Sequence, residues 1–322
     1  MQNYTTQTLQ KTGSRHRCCQ DRYAVHQEEG LLIMVVCDGH GGRPYCRSGL
    51  GARFAAAAAV AVLKSETEVA QIPAAIKDRY DAMVKKHLAA RPLNHWEALR
   101  AEDMPRHLVY GTTLLAAVIK DRGATVYQLG DGEIHAVSPQ GELLPDLPED
   151  TSCRGNLTSS LACNRDFALA HFRTAHYENV GALLMLSDGC DNGFLQAMAA
   201  LADFPNQTPG FDAMLTATDR GDDQTMLLAY DPEALRRDSV RETLKDNISA
   251  IREARRQKQL ALQEREEYLQ LANYMELALR KAARLRQEGN PALKDFLKTL
   301  QPSYLRYIQL HERLLAETRK TT

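Results

Sequence analysis

Up to about residue 230 the chain alternates short apolar, strand-like segments with a few helix-like ones. The strand-like segments are rich in Val, Ile, Leu and Tyr and are separated by Gly, Asp or Asn; they cover 23–27, 31–37, 113–119, 124–129, 133–138, 167–172, 181–187 and 224–230. Helices are predicted at 47–64, 70–90 and near 193–202, and a loop at 141–165. Because consecutive strands outnumber the clustered helices, the pattern favours α+β layers over a strictly alternating βαβ fold.

The pattern changes after Asp231-Pro232. No Gly or Pro occurs over 233–286, and apolar residues recur at steps of three and four over 268–285 and again over 293–314, on either side of a Gly-Asn-Pro break. This periodicity predicts an antiparallel helical hairpin. The chain is therefore predicted to consist of a domain at 1–231 and a helical extension at 232–322.

The two parts differ in charge. Residues 1–231 hold 21 Lys and Arg against 28 Asp and Glu, a net charge of −7, whereas the extension holds 19 against 13, a net charge of +6. Basic residues there would suit an acidic partner or nucleic acid, but a solvated helical face is the simpler interpretation. We expect a protein partner or self-association through 232–322, and not nucleic acid.

Other features exclude whole classes of protein. The seven cysteines are scattered and form no CxxC pair, which argues against a zinc cluster or a disulfide framework and favours reduced thiols. The N-terminus is polar, and the apolar runs LLIMVV and AAAAAVAVL are far shorter than the roughly 20 residues that cross a bilayer. The sequence thus predicts a cytoplasmic protein without a membrane span. Neither GxxxxGK[ST] nor a GxGxxG that opens a helix is present, which disfavours nucleotide binding.

Acidic residues stand at the edges of the predicted strands, mostly beside glycine. They are Asp21, Asp38, Asp131, Asp188 and the pair Asp222-Asp223. A turn explains each Asp-Gly pair alone, but the whole set is better explained by carboxylates that gather at one rim and bind cations. Glycines let backbone carbonyls approach the same cation, and oxygen ligands without clustered Cys or His favour Mg²⁺ or Mn²⁺ over zinc.

Over about residues 10–231 the sequence resembles the metal-dependent serine/threonine protein phosphatases, the type-2C phosphatases. The motifs that carry the resemblance, in the family's order, are Gln20-Asp21, Asp38-Gly39-His40-Gly41-Gly42, Gly111-Thr112-Thr113, Gly130-Asp131, Ser187-Asp188-Gly189 and Asp222-Asp223-x-Thr225. The resemblance implies a four-layer sandwich of two antiparallel β-sheets flanked by α-helices, with a two-metal centre at one end. The C-terminal α-helical hairpin is an addition to that fold.

The resemblance also implies roles for individual residues. Asp38 would bridge two Mg²⁺ or Mn²⁺ ions, with the Gly39 carbonyl on one of them. Asp188 and Asp222 would bind the other ion, and Asp21 would support a metal or its water. A hydroxide that bridges the metals would then attack the phosphorus of a phosphoserine or phosphothreonine in line.

His40 stands where some members of the family carry a histidine proposed as the general acid, and an imidazole pKa of about 6.5 suits that role. A buried structural histidine is the alternative. Gln20 stands where an acidic residue is common, and His16 stands where a phosphate-binding arginine is expected. Phosphate binding is therefore assigned to Arg15, His16 or Arg17 without a choice among them.

A third metal is less well supported than the first two. Asp131 matches the position of a third, weaker metal, but its expected partner, four residues after Asp188, is Asn192, with Asp191 next to it. Asp223 stands where asparagine is more usual, and it is expected to support its neighbours.

The predicted function is a Mg²⁺- or Mn²⁺-dependent phosphoprotein phosphatase in a bacterial-type signalling setting. Two alternatives remain open: a pseudophosphatase that binds a partner through its helical extension, and a phosphatase of a small phosphorylated metabolite. The presence of Asp38, Asp188 and Asp222 favours an active enzyme, because losing any one of them would break the metal site.

Overall fold

The computed structural model describes residues 4–65, 68–101, 104–148, 150, 158–190, 193–203 and 221–321, with side chains up to residue 316. The chain divides into two compact units, Met1–Ile248 and Ser249–Thr322. The first unit includes the start of a long C-terminal helix, since Val240 and Leu244 of that helix are buried. The boundary at residue 231, which was drawn from composition, stays a prediction.

Two antiparallel sheets form the centre of the first unit. Their strands, among the described residues, are β1 Thr5–Lys11, β2 Arg22–Glu28, β3 Leu31–Cys37, β4 Leu114–Lys120, β5 Gly123–Leu129, β6 Glu133–Val137, β7 Arg173–Tyr177, β8 Ala182–Leu186 and β9 Gln224–Tyr230. One sheet has the order β1-β9-β8-β6, and the other has the order β2-β3-β4-β5-β7.

The described residues also form α-helices. They are α1 Ser48–Ser65, α2 Ile72–Ala90, α3 His95–Ala101, α4 Arg165–His171, α5 Gly193–Asp203, α6 Pro232–Leu235, α7 Asp238–Gln287 and α8 Ala292–Thr321, with 3₁₀ turns at Val69–Gln71 and Leu108–Tyr110. Helix α1 packs on β2, β3 and β4, and α5 packs on β8 of the other sheet. The predicted four-layer arrangement is confirmed.

Strand β3 shows why the apolar run at 31–37 is continuous. On one face of the strand, Ile33, Val35 and Cys37 lie in the core beneath α1 and α2. On the other face, Leu32, Met34 and Val36 lie in the second core, between the two sheets. Both faces of the strand are therefore buried, and the alternation of apolar and polar residues that marks a half-exposed strand is lost.

The predicted strand at 167–172 is wrong, because most of this segment is helix α4. The side chain of Asn164 caps the helix by accepting a hydrogen bond from the backbone N–H of Phe167, and Ala168 is the buried residue of the helix. Strands β1 and β7 were not predicted. Strand β1 lies at a sheet edge and is polar, with Leu9 as its buried residue, so it lacks the apolar signal of an inner strand.

The second unit confirms the predicted helical hairpin. Met275 of α7 and Leu300 of α8 belong to its small core. The ring of Tyr268 stacks on that of Tyr307, with 5.2 Å between the centroids. Gly289, at φ +62°, lies in the turn between the helices, where a left-handed backbone favours glycine. No helix in the described part of the chain is long and apolar enough to cross a membrane.

Candidate metal and phosphate site

The acidic residues singled out from the sequence lie at one rim of the sandwich. Asp21 precedes β2, Asp38 follows β3, Asp131 lies between β5 and β6, Asp188 follows β8 and Asp222 precedes β9. Antiparallel pairing brings these strand ends together, because Arg22 pairs with Cys37 and Glu133 pairs with Leu186. The order of strands and motifs along the chain therefore produces one cluster of carboxylates.

Backbone contacts hold Asp38 in place and leave its carboxyl group available. The Asp38 carbonyl accepts hydrogen bonds from the Thr113 N–H and the Thr112 hydroxyl, each at 2.8 Å. The Asp38 N–H donates to the Thr113 hydroxyl at 3.1 Å. The following residue must be glycine, because a Cβ atom on Gly39 would lie 2.8 Å from the Gln20 carbonyl oxygen.

The surroundings of Asp38 and of Asp21 raise the pKa values of these two carboxyl groups. Burial and the neighbouring carboxylates of Asp21 and Asp188 raise the pKa of Asp38 well above its usual value. Burial raises the pKa of Asp21 to about 6, although Thr225, Ser187 and Asp38 lie close enough to lower it in part. Such a cluster favours a bound cation, which removes the repulsion and lowers the pKa of each carboxyl group.

Asp21 is the carboxylate whose surroundings best fit a cation. Its side chain is fully buried, and within the described residues neither of its carboxylate oxygens accepts a hydrogen bond of regular geometry. Buried carboxylates without partners are costly, so this one fits a place beside a cation or its water.

A metal would need ligands beyond carboxylates. Among the residues that the structure describes, no three His, Cys, Asp or Glu side chains surround one point closely enough to hold a metal by themselves. The Gly39 carbonyl and water would have to complete the ligand shell, and Mg²⁺ readily keeps several waters in such a shell.

Asp222 and Asp223 have different surroundings. The Asp222 side chain is half exposed, and one of its oxygens accepts a hydrogen bond from the Asp223 N–H at 2.9 Å. The buried Asp223 accepts hydrogen bonds from the Gly13 N–H at 2.9 Å and the Gln20 N–H at 2.6 Å. Asp223 thus anchors the segment before β2, whereas Asp222 faces the rim.

The three candidates for phosphate binding lie in that anchored segment. His16 Nδ1 lies 3.0 Å from Asp223 Oδ2 and 3.8 Å from Asp222 Oδ1, although neither contact is a regular hydrogen bond. Arg15 is exposed and its side chain lies along Gly221, next to Asp222; a Cβ on Gly221 would be 2.6 Å from Arg15 Nε. Arg17 is exposed.

His40 is half-buried and lies near Asp188 of the acidic cluster. Its N–H donates to the Gly111 carbonyl at 3.0 Å, and its ring packs edge-on against Tyr45 at 5.1 Å between centroids. A Cβ on Gly111 would lie 2.4 Å from the His40 ring, so glycine is required there as well. Burial lowers the His40 pKa to about 4, and nearby Asp188 offsets only part of this effect. In the free site the imidazole is therefore neutral at pH 7.

Of the two residues expected to bind a third metal, Asp131 and Asp191, the structure describes only Asp131. Desolvation, together with the charge of Asp188, raises the pKa of Asp131. Asp191 lies outside the described residues.

A buried ion pair that the sequence did not reveal supports the His40 loop. Arg47 makes two hydrogen bonds of 2.8 Å to the carboxylate of Glu97 and one of 2.7 Å to the Tyr110 hydroxyl. Tyr110 directly precedes Gly111, whose carbonyl accepts from His40. Arg47 and Glu97 are 50 positions apart, and neither lies in a recognisable motif, so no sequence signal paired them.

Comparison with known proteins gives the family. The model of the family described as "Protein phosphatase 2C" matches residues 11–227, well over half of the chain. The chain belongs to the protein phosphatase 2C family. The resemblance stated from the motifs is thereby confirmed. A comparison with curated protein sequences finds no match.

Solved structures agree with this family at the level of the fold. A bacterial serine phosphatase is 15% identical, with a TM-score of 0.51, and the match covers 71% of this chain and 98% of that one. The serine/threonine phosphatase Stp1 from Staphylococcus aureus is 15% identical, with a TM-score of 0.51 over 71% of this chain and 95% of that one.

Proposed function

We propose that this protein phosphatase 2C family member is a metal-dependent phosphatase that hydrolyses phosphoserine and phosphothreonine in proteins. The observation that carries the proposal is the convergence of Asp21, Asp38 and Asp188 at one rim, with both buried oxygens of Asp21 lacking a regular hydrogen-bond partner among the described residues. Clustered carboxylates with raised pKa values are typical of a cation site at which chemistry takes place.

We assign the binding of two Mg²⁺ or Mn²⁺ ions to Asp38, the Gly39 carbonyl, Asp188 and Asp222, with Asp21 in support. This donor set is all oxygen, which suits these ions. When bound, such ions activate water as a nucleophile and neutralise charge on the phosphoryl oxygens. A third ion at Asp131 and Asp191 is not part of the proposal.

Two of the chain's own groups would act on the phosphoryl substrate. We assign phosphate binding to Arg15, because its side chain lies beside Gly221 and Asp222, whereas His16 is directed at the Asp223 carboxylate. His40 would give a proton to the leaving alkoxide. A phosphate dianion near the ring would raise the imidazole pKa from its value of about 4 in the free site, because an opposite charge favours the protonated form.

Hydrolysis of p-nitrophenyl phosphate and of a phosphothreonine peptide tests this function. Both are assayed with EDTA, Mg²⁺ or Mn²⁺, for the unchanged protein and for Asp38→Ala. Turnover that requires metal and falls at least about 100-fold in Asp38→Ala would support the proposal. Glu178→Ala, which removes an exposed carboxylate away from the rim, is the matched control and should keep full activity.

A binding module without turnover is the second candidate. Gln20 and His16 stand where an acidic residue and an arginine are more usual in the family, which favours a weakened site. Absence of turnover with every metal, by a protein that melts cooperatively, would select this candidate. Turnover of small phosphorylated metabolites in preference to phosphopeptides would instead select a metabolite phosphatase.

The helical extension is proposed to bind a protein partner or a second copy of the chain. Leu262 and Leu269 of α7 lie two turns apart on one face of the helix and are each 55% exposed. We also propose a cytoplasmic location. The six cysteines of the described chain are all free, which accords with a reducing compartment.

A further inference from the structure

A basic groove runs between α1 and strand β2, outside the residues assigned to catalysis. Its volume is about 660 Å³, and the residues that line it include Arg22, Arg53 and Lys64 but no carboxylate. Ala57 and Val60 of α1 form part of its floor, so small side chains leave the space open. The groove is therefore suited to an extended ligand that carries negative charge.

Strand β2 offers its backbone to such a ligand. It is the first strand of its sheet and, in the described chain, pairs with β3 on one side only. At a free edge, alternate residues direct their N–H and C=O groups away from the sheet, where another extended chain can pair with them.

The groove begins at the metal rim. Strand β2 starts at Arg22, directly after Asp21, and the Arg22 guanidinium donates hydrogen bonds to the carbonyls of Cys19 and Asp21 at 2.8 and 2.5 Å. From Arg53 to Lys64 the helix rises about 16 Å, which equals about five residues of extended chain. A strand laid along β2 thus reaches the rim at one end and Lys64 at the other.

We propose that the phosphoprotein substrate docks here as an added strand on β2, with an acidic segment of about five residues in the groove and its phosphorylated residue at the metal rim. The proposal rests on the proposed phosphatase function and adds a substrate class, namely phosphoproteins with acidic residues on one side of the phosphorylated position. Arg53 and Lys64 supply the charge that recognises this segment. Lys64 already pairs with the exposed Glu28 at 2.9 Å, so a substrate carboxylate would compete with an exposed, weak ion pair.

The test compares three substrates: p-nitrophenyl phosphate, a phosphothreonine peptide with acidic residues on one side, and the same peptide with neutral residues. The KM of the acidic peptide should be about five- to tenfold below that of the neutral peptide. The double change Arg53→Glu and Lys64→Glu should abolish or reverse this preference. Lys85→Glu combined with Lys86→Glu, an equal charge change at exposed positions of α2, should preserve it. All three proteins should hydrolyse p-nitrophenyl phosphate equally.

N-methylation of the peptide backbone tests strand pairing without altering the protein. Methyl groups on amides of one parity should raise KM, whereas those on the alternate amides should not, because only every second amide faces β2. An acidic preference that survives in the double variant, or N-methylation that has no effect at any position, would overturn the docking proposal while p-nitrophenyl phosphate turnover sustains the phosphatase function.

The docking proposal also remains testable if no substrate is hydrolysed. In that case the proposed phosphatase function fails, and binding of the fluorescently labelled acidic peptide is measured directly by anisotropy. Binding that Arg53→Glu with Lys64→Glu weakens and Lys85→Glu with Lys86→Glu does not would support the groove as a docking site. Absence of binding would overturn it.

Discussion

Thr113 and Asp38 are joined by two hydrogen bonds: the Thr113 N–H donates to the Asp38 carbonyl at 2.8 Å, and the Asp38 N–H donates to the Thr113 hydroxyl at 3.1 Å. The Asp38 backbone is thereby fixed from the start of β4, and its carboxyl group needs no part in holding the loop. A side chain that is oriented by its backbone can bind a cation without first being ordered.

Thr113→Val tests the importance of this link. Valine has a similar shape but leaves the buried Asp38 N–H without its acceptor, so we expect a loss of about 1 to 3 kcal/mol in the free energy of unfolding. Metal affinity or activity should fall about 10- to 100-fold if Asp38 binds metal as proposed, since the altered hydrogen bond orients Asp38. Urea unfolding and the metal dependence of activity are the measurements. Thr299→Val, at an exposed helical position, should change neither.

Asp222 and Asp223 provide a pair of changes with opposite outcomes. Asp222→Asn should lower activity at limiting metal by at least about tenfold and alter the free energy of unfolding by less than about 0.5 kcal/mol, because its side chain is 55% exposed. Asp223→Asn replaces a buried acceptor of two backbone N–H groups and should cost about 1 to 3 kcal/mol of stability. Equal stability losses in the two variants would contradict the assignment of Asp222 to the metal rim.

The rim could be predicted from the sequence because each of its carboxylates lies next to a strand end. Asp38 ends an apolar run, and Asp188 and Asp222 flank two others, so local pattern alone placed all three at the edges of strands. Which edges meet depends on strand order, and the sequence supplied that only through the family resemblance.

The errors have local physical causes. Residues 167–172, FALAHF, form a short and mostly apolar run as a buried strand does, but the Asn164 cap and the burial of Ala168 on one side stabilise a short helix instead. Strand β1 is polar because it lies at a sheet edge, and its pairing with β9 joins residues far apart in the chain. The Arg47–Glu97 pair could not be predicted from a local pattern either, because its two residues are 50 positions apart.

The Arg47–Glu97 pair should be strongly coupled. The Arg47 side chain is 8% exposed. Glu97→Gln therefore leaves a buried guanidinium without its negatively charged partner and should lower the free energy of unfolding by about 2 to 4 kcal/mol. Arg47→Met combined with Glu97→Gln should cost less than the sum of the single changes, with a coupling energy of about 1 to 3 kcal/mol from urea unfolding. The exposed pair Arg165–Asp78 serves as the control, and its coupling should stay within about 0.5 kcal/mol. Additive costs at Arg47 and Glu97 would argue against the network.

His135 of β6 should make stability depend on pH. Burial lowers its pKa, but hydrogen bonds of 2.9 Å to Asp146 and to Glu133 outweigh burial and raise the pKa to about 9. A folded pKa above the unfolded value of about 6.5 gives stability that is fully present below pH 6.5 and is lost as the pH rises through about 9.

The pKa shift of His135 sets an upper bound of about 3 kcal/mol on its contribution to the free energy of unfolding. Because Asp146 and Glu133 are both exposed, we expect a contribution of about 1 kcal/mol. Urea unfolding at about pH 6 and about pH 9.5 measures it for the unchanged protein and for His135→Gln. The stability difference between these two proteins should shrink as the pH rises. A difference that stays constant or grows with pH would mean that His135 is not held in its charged form by Asp146 and Glu133.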